Sequence, residues 1–93
     1  MTKWIRSGRR RDICYLLAAE GERRGQQLKS DLESHYDERL EPSSFYGTLS
    51  AMVEAGLVET RTEGLADVYS LTAVGEDRLE EHVRWVESCL ETE

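Results

Sequence analysis

Apolar residues recur at helical spacing in four stretches of this chain, and two short runs rich in β-branched and aromatic residues lie between the third and the fourth. In the first stretch Ile13, Leu16 and Leu17 share a face, Ser7 can cap the helix and Glu20-Gly21 can end it; Trp4 and Ile5 precede it. The second runs from Gly25 to Tyr36, with Leu28, Leu32 and Tyr36 forming a narrow stripe and Gln26, Gln27, Lys29 and Ser30 on the polar face. After the charged stretch Asp37 to Glu41, Pro42-Ser43-Ser44 signals a third helix start, the hydroxyls being able to accept the unpaired helical N–H groups. At about 100° per residue, Phe45, Leu49, Met52 and Val53 fall on one face. Ser43, Tyr46, Gly47 and Ser50 point away, and Ala55-Gly56 ends the helix.

The runs at 58 to 62 (VETRT) and 67 to 71 (DVYSL), joined by Glu63 to Ala66, predict a β-hairpin. Thr72 is placed to cap a long last helix. Leu79, Val83, Val86 and Leu90 form its stripe, with His82, Trp85 and Cys89 beside it, which is more apolar width than one thin core can cover. The fold expected is mainly α with a small β-hairpin. It forms a single domain over 1–93, with a core and hairpin in 1–72 and a C-terminal helix in 73–93.

Composition supports a folded chain: 39% of its 93 residues are hydrophobic, 33% are charged, and none lie in a biased tract. So short a chain covers its apolar surface poorly, which favours a partner subunit. No run is long enough to span a membrane and no signal peptide is evident, so a cytoplasmic protein is expected. Cys14 and Cys89 match no metal spacing and sit among apolar residues, which suggests buried free thiols rather than a disulfide.

The net charge of −7 is unevenly spread. Residues 1 to 30 hold eight basic groups against three acids, so the remainder carries −12. The basic residues are nearly all Arg, and acids crowd the last two-thirds. That balance suits a halophilic source, because self-repulsion is screened where the Debye length falls to about 3 Å at 1 M salt. Ordinary acidic drift is the plainer alternative.

Two helices in close succession, the second with a compact polar outer face, followed by a hairpin, form the pattern of a winged helix-turn-helix. The segments LLAAEGERRGQQL, PSSFYGTLSAMVEAGLVET and VYSLTAVGEDRL together resemble the PadR family of winged-helix transcriptional regulators, over roughly residues 13 to 90. The resemblance implies a homodimer held by the C-terminal helix, a third helix in the DNA major groove, a wing at adjacent phosphates or the minor groove, and no catalysis. The chain departs from the family pattern in three places. Gly25-Gln26 stands where the family often has Gly-Tyr, Ser50 and Ala51 where its recognition helix is often basic, and Arg61 lies among Glu59, Glu63 and Asp67 in a wing that is commonly basic.

The candidate DNA contacts are therefore Ser43, Ser44, Tyr46, Gly47 and Ser50 on the third helix. Arg9, Arg10, Arg11, Arg23 and Arg24, near helix starts, can meet phosphates. Gln26, Gln27, Lys29 and Arg61 complete the set. A solvated polar face is the alternative for each, and for Tyr46 a ring packed on the domain. The candidate dimer interface comprises Trp4, Ile5, Leu79, His82, Val83, Trp85, Val86, Cys89 and Leu90, with intramolecular packing the alternative. His35 and His82 lack a second ligand at metal-binding spacing, and no motif calls for a cofactor or catalysis. The expected function is a homodimeric regulator, acting as a repressor on a pseudo-palindromic site of double-stranded DNA, with half-sites about one helical turn apart. A protein-interaction module using the acidic wing and last helix is the alternative. A ligand sensor with a pocket around Trp4 and Trp85 is a weaker one, for which no effector can be named.

Overall fold

The structure, a computed structural model, describes residues 8–91; the expectations for Trp4, Ile5 and Ser7 lie outside them. Four helices and three strands follow in the order α1 (Gly8–Glu20), β1 (Arg23–Arg24), α2 (Gly25–Tyr36), α3 (Pro42–Glu54), β2 (Val58–Glu63), β3 (Ala66–Leu71) and α4 (Ala73–Glu91). The fold is a winged helix-turn-helix with a long C-terminal helix, and no helix among the described residues is long and apolar enough to cross a membrane.

Local chemistry sets most boundaries. Gly21, at φ 84°, ends α1 and donates its N–H to the Leu17 carbonyl at 2.8 Å. Asp37 takes the left-handed conformation after α2. The start of α3 differs from expectation, because the Glu41 carboxylate, not a serine hydroxyl, accepts from the Ser43 and Ser44 N–H groups. Glu41 also accepts a hydrogen bond from the Ser43 hydroxyl, so its carboxyl is held below the usual range, chiefly by that hydrogen bond. A carboxylate is the stronger acceptor and favours the positive end of the helix. At the other end Gly56 (φ 79°) closes α3, with Leu57 N–H reaching the Met52 carbonyl and Gly56 N–H the Val53 carbonyl.

The hairpin is longer than its sequence signal. β2 and β3 pair antiparallel from Val58↔Leu71 to Glu63↔Ala66, leaving Gly64 and Leu65 as a two-residue loop with Gly64 at φ 66°. The sheet order is β1-β3-β2, and β1 is a strand the sequence reading missed. Thr72 behaves as expected: its hydroxyl oxygen accepts from Gly75 N–H at 3.0 Å, and the hydroxyl donates to the Gly56 carbonyl. The first turn of α4 is thereby fastened to the end of α3. Gly75 makes this approach possible, since a Cβ there would lie 2.1 Å from the Leu57 carbonyl oxygen.

The core joins Ile13, Cys14 and Leu17 of α1 to Leu28 and Leu32 of α2, Phe45, Leu49 and Met52 of α3, and Leu40, Leu57, Val58 and Leu79. Each fully buried side chain of this size stabilises the fold by about 1.5–3 kcal/mol. Burial pushes the Cys14 thiol up to about 12. Cys89, expected to be buried, is exposed, because α4 runs on past the core. The same overhang leaves Val83, Trp85 and Leu90 uncovered, while Leu79 and His82 are buried.

Candidate nucleic-acid interface

The sequence reading proposed three groups of polar residues far apart in the chain, and the fold gathers parts of all three around α3. Ser43, Ser44, Tyr46, Gly47 and Ser50 lie on its exposed side, opposite Phe45, Leu49 and Met52. The Arg9 guanidinium donates to the Ser44 hydroxyl at 2.9 Å, which places the basic start of α1 beside the start of α3. Arg10 and Arg11 belong to that same first turn.

Beside Tyr46, the start of α2 and the wing form a cleft of about 290 Å³ lined by Arg24, Gly25, Gln26, Tyr46, Leu65, Asp67 and Tyr69, among others. Gly25 is the reason these elements close up. A Cβ there would stand 2.9 Å from Tyr46 Cε1 and 3.1 Å from Tyr69 Cε2, so both rings rest on the bare helix start. The Tyr46 ring also meets Phe45 edge-on at 5.1 Å and is 37% exposed. Among the described residues no side chain caps α2, and Arg24 precedes it in extended conformation. Gln26 and Gln27 are exposed on its first turn.

The cations are not equivalent. Arg23 is turned inward toward Glu20 (3.3 Å) and Asp31 (3.6 Å). Lys29 pairs with Glu33 at 2.8 Å. Arg61 is gripped by both oxygens of Glu22 (2.7 and 3.1 Å) and by Glu63 (2.7 Å), which raises its pKa and lowers that of Glu22. Among the described residues Arg24 makes no ion pair. The fold thus brings Arg9, Ser43, Ser44, Tyr46, Gly47, Ser50, Arg24 and Gln26 onto or beside one surface. Arg23, Lys29 and Arg61 are engaged by acids of the same chain.

A second surface lies on α4. Trp85, 53% exposed, stacks on His82 with ring centroids 6.0 Å apart, and Tyr15 of α1 tilts against His82 at 6.4 Å. His82 is only 7% exposed, and its Nδ1 is buried without a hydrogen-bond partner among the described residues. Burial and the nearby Arg11 charge lower its pKa. Val83 and Leu90 continue the apolar side chains exposed on α4.

Sequence reasoning missed Glu41 as the cap of α3, the packing role of Gly25, and Leu65. The Glu-Pro-Ser-Ser run could have suggested the first. Gly25 and Leu65 owe their roles to contacts across the fold.

Comparison with known proteins agrees with this architecture. RosR of H. salinarum is similar over 94% of this chain and 79% of its own, at 27% identity and a TM-score of 0.86. A homodimeric winged helix-turn-helix DNA-binding domain from Mycobacterium bovis, described as a possible ArsR-family transcriptional regulator, is 29% identical over 92% of this chain and 73% of its own, with a TM-score of 0.71. HlyU from Vibrio cholerae is 28% identical over 89% and 84% of the two chains, with a TM-score of 0.68. No curated protein sequence matches the chain significantly. The family model of PadR-like transcriptional regulators matches residues 13–81, and the chain belongs to that family.

Proposed function

We propose that the chain is a cytoplasmic homodimeric repressor that binds a pseudo-palindromic site in double-stranded DNA. The supporting observation is the convergence on α3. Its exposed hydroxyls and Gly47 lie near Arg9, bonded to Ser44, and near the cleft that Tyr46 shares with Arg24 and the start of α2. Side chains on α3 can reach base edges, while the flanking Arg and helix N–H groups suit phosphates. The net charge of −7 does not oppose this, because the basic groups are concentrated in the first thirty residues.

Residues 1–72 form the DNA-binding core and wing in this reading, and α4, within 73–93, pairs with its copy. The exposed Val83, Trp85 and Leu90 support the pairing, as does the homodimeric state described for the M. bovis domain. Two α3 helices related by a two-fold axis engage half-sites roughly 34–36 Å apart, and occupying a promoter in this way blocks transcription. The acid-rich surface suits work in concentrated salt. The test is selection from a pool of random duplex DNA at low and high potassium chloride. Enrichment of a two-fold-symmetric motif is expected. No enrichment at either salt overturns the reading in favour of a protein-interaction module.

A further inference from the structure

We propose that Thr72 and Gly75 form a rigid joint between α4 and the end of α3 that sets the spacing of the two DNA half-sites the dimer accepts. The inference rests on the dimeric DNA-binding reading above and adds to it the residues that select the length of the site.

The end of α3 and the first turn of α4 meet at Gly56 and Leu57 through directional contacts. The Thr72 hydroxyl accepts from the Gly75 N–H at 3.0 Å and donates to the Gly56 carbonyl. A helix cap needs only the first of these bonds. The second satisfies a carbonyl just past α3, so one side chain ties the end of one helix to the start of another. Main-chain bonds run the same way. Leu57 donates its N–H to the Met52 carbonyl at 3.0 Å, and its own carbonyl accepts the Thr72 N–H at 3.1 Å. Gly75 brings α4 against that same carbonyl, whose oxygen an added Cβ would meet at 2.1 Å. The Leu57 side chain is locked in the core. Hydrogen bonds weaken steeply as their angles open, and the carbonyl leaves no room for slip, so the joint holds one geometry.

Farther along α4 the contacts are of another kind. Leu79 packs in the core and His82 meets Tyr15 ring against ring, and such non-directional contacts tolerate small shifts. Beyond them Trp85 and Leu90 are exposed, in the stretch that pairs with its copy in the dimer reading. The path from the two-fold axis to the DNA surface then runs back along α4 and through the joint. From Thr72 to Trp85 the helix is about 20 Å long at 1.5 Å per residue. On that lever arm a tilt of roughly 5° in each protomer changes the separation of the two α3 helices by about 3.4 Å, one base-pair step. A joint held more tightly than this admits one spacing, and a loosened one admits its neighbours.

The test uses the two-fold-symmetric site retained by the wild-type chain from the random pool. It is remade with its half-sites at the selected spacing, one base pair closer and one base pair farther, beside a duplex holding a single half-site. Wild type, Thr72→Val, Thr72→Ser and Gly75→Ala are compared by fluorescence anisotropy below every melting transition. Wild type is expected to favour the selected spacing by about tenfold, and Thr72→Val, which keeps the shape and loses both hydroxyl bonds, by about threefold or less. Thr72→Val should bind the single half-site as wild type does, and Thr72→Ser should restore the spacing preference. Gly75→Ala, which pushes α4 off the Leu57 carbonyl, should shift or erase the preferred spacing, and it decides the matter if Thr72→Val does not fold. A preference unchanged in these variants, or affinities lowered by one common factor on every duplex, overturns the proposal, because Thr72 then does no more than cap α4. A wild-type chain indifferent to spacing overturns it too, with DNA binding intact. If the wild-type chain retains no symmetric site, the dimeric DNA-binding reading falls and this proposal with it.

Discussion

Replacing one glycine by alanine in two different helices should change stability in opposite directions. At Gly75 the added Cβ meets the Leu57 carbonyl oxygen at 2.1 Å, more than 1 Å short of the 3.4 Å where ordinary contact begins, and Leu71 Cδ2 at 3.2 Å. The obstacle is backbone, and that carbonyl already accepts the Thr72 N–H at 3.1 Å. The first turn of α4 must therefore lift off the Leu57 backbone that follows α3. Overpacking of this kind costs about 1–3 kcal/mol and here exceeds the roughly 1 kcal/mol gained from alanine's helix propensity. A net loss of about 1–2 kcal/mol, toward the upper end because the obstacle is backbone, lowers the melting temperature by roughly 5–10 °C in a domain of this size. Gly47, exposed within α3, has nothing within 4 Å of its added Cβ. Gly47→Ala gains only the propensity, about 0.5–1 kcal/mol, and raises the melting temperature by roughly 4 °C. Thermal unfolding of both variants by far-UV circular dichroism at equal protein concentration decides the matter. A Gly75→Ala variant as stable as wild type would refute the close approach of α4 to Leu57.

Three further outcomes are expected. In a Cys89→Ser variant the remaining thiol, Cys14, is buried and raised to about 12, so a thiol reagent should label no cysteine in the native protein and one after denaturation; native labelling at the denatured rate contradicts the packing of α1. His82 has a lowered pKa when folded, so the unfolded chain binds the proton more readily. Its contribution to stability is present above the unfolded value near 6.5 and declines as pH falls below it. Denaturant unfolding between pH 7.5 and 5.5 should show that decline in wild type and a flatter profile in His82→Gln; equal profiles refute it. Trp85→Asp places a charge on the exposed face of α4 and should convert the proposed dimer to monomer in sedimentation velocity without unfolding the chain. A variant that sediments as wild type removes α4 from the interface.

Much of the fold was legible because its signals are local. Pro42, Gly21, Gly56 and Thr72 mark helix ends through their own backbone or side-chain chemistry, and the stripes through Leu28 and Leu32, and through Phe45, Leu49 and Met52, identify the buried faces. What was not legible depends on partners distant in sequence. Arg23 and Arg24 have no strand character of their own, and become β1 only because Tyr69 and Val68 lie opposite them. Arg61 reads as a wing cation until Glu22, 39 residues earlier, grips it. Cys89 seemed buried because it accompanies an apolar stripe, whereas the stripe outruns the core of a single chain. The candidate DNA surface was legible as residue types on the outer face of α3, but not in how Arg9 and Arg24 come to flank it.

The central claim, that α3 and its flanking arginines form the DNA surface, is tested most directly by the salt dependence of duplex binding in wild type and in the Arg9→Ala/Arg24→Ala double variant. Each phosphate contact contributes about 0.9 to the slope of log K against log salt. Removing two arginines from each protomer of a dimer should therefore make the slope shallower by roughly 3 to 4, with weaker binding at low salt. An unchanged slope and affinity would contradict the account, because DNA would then be bound by a surface other than the one around α3.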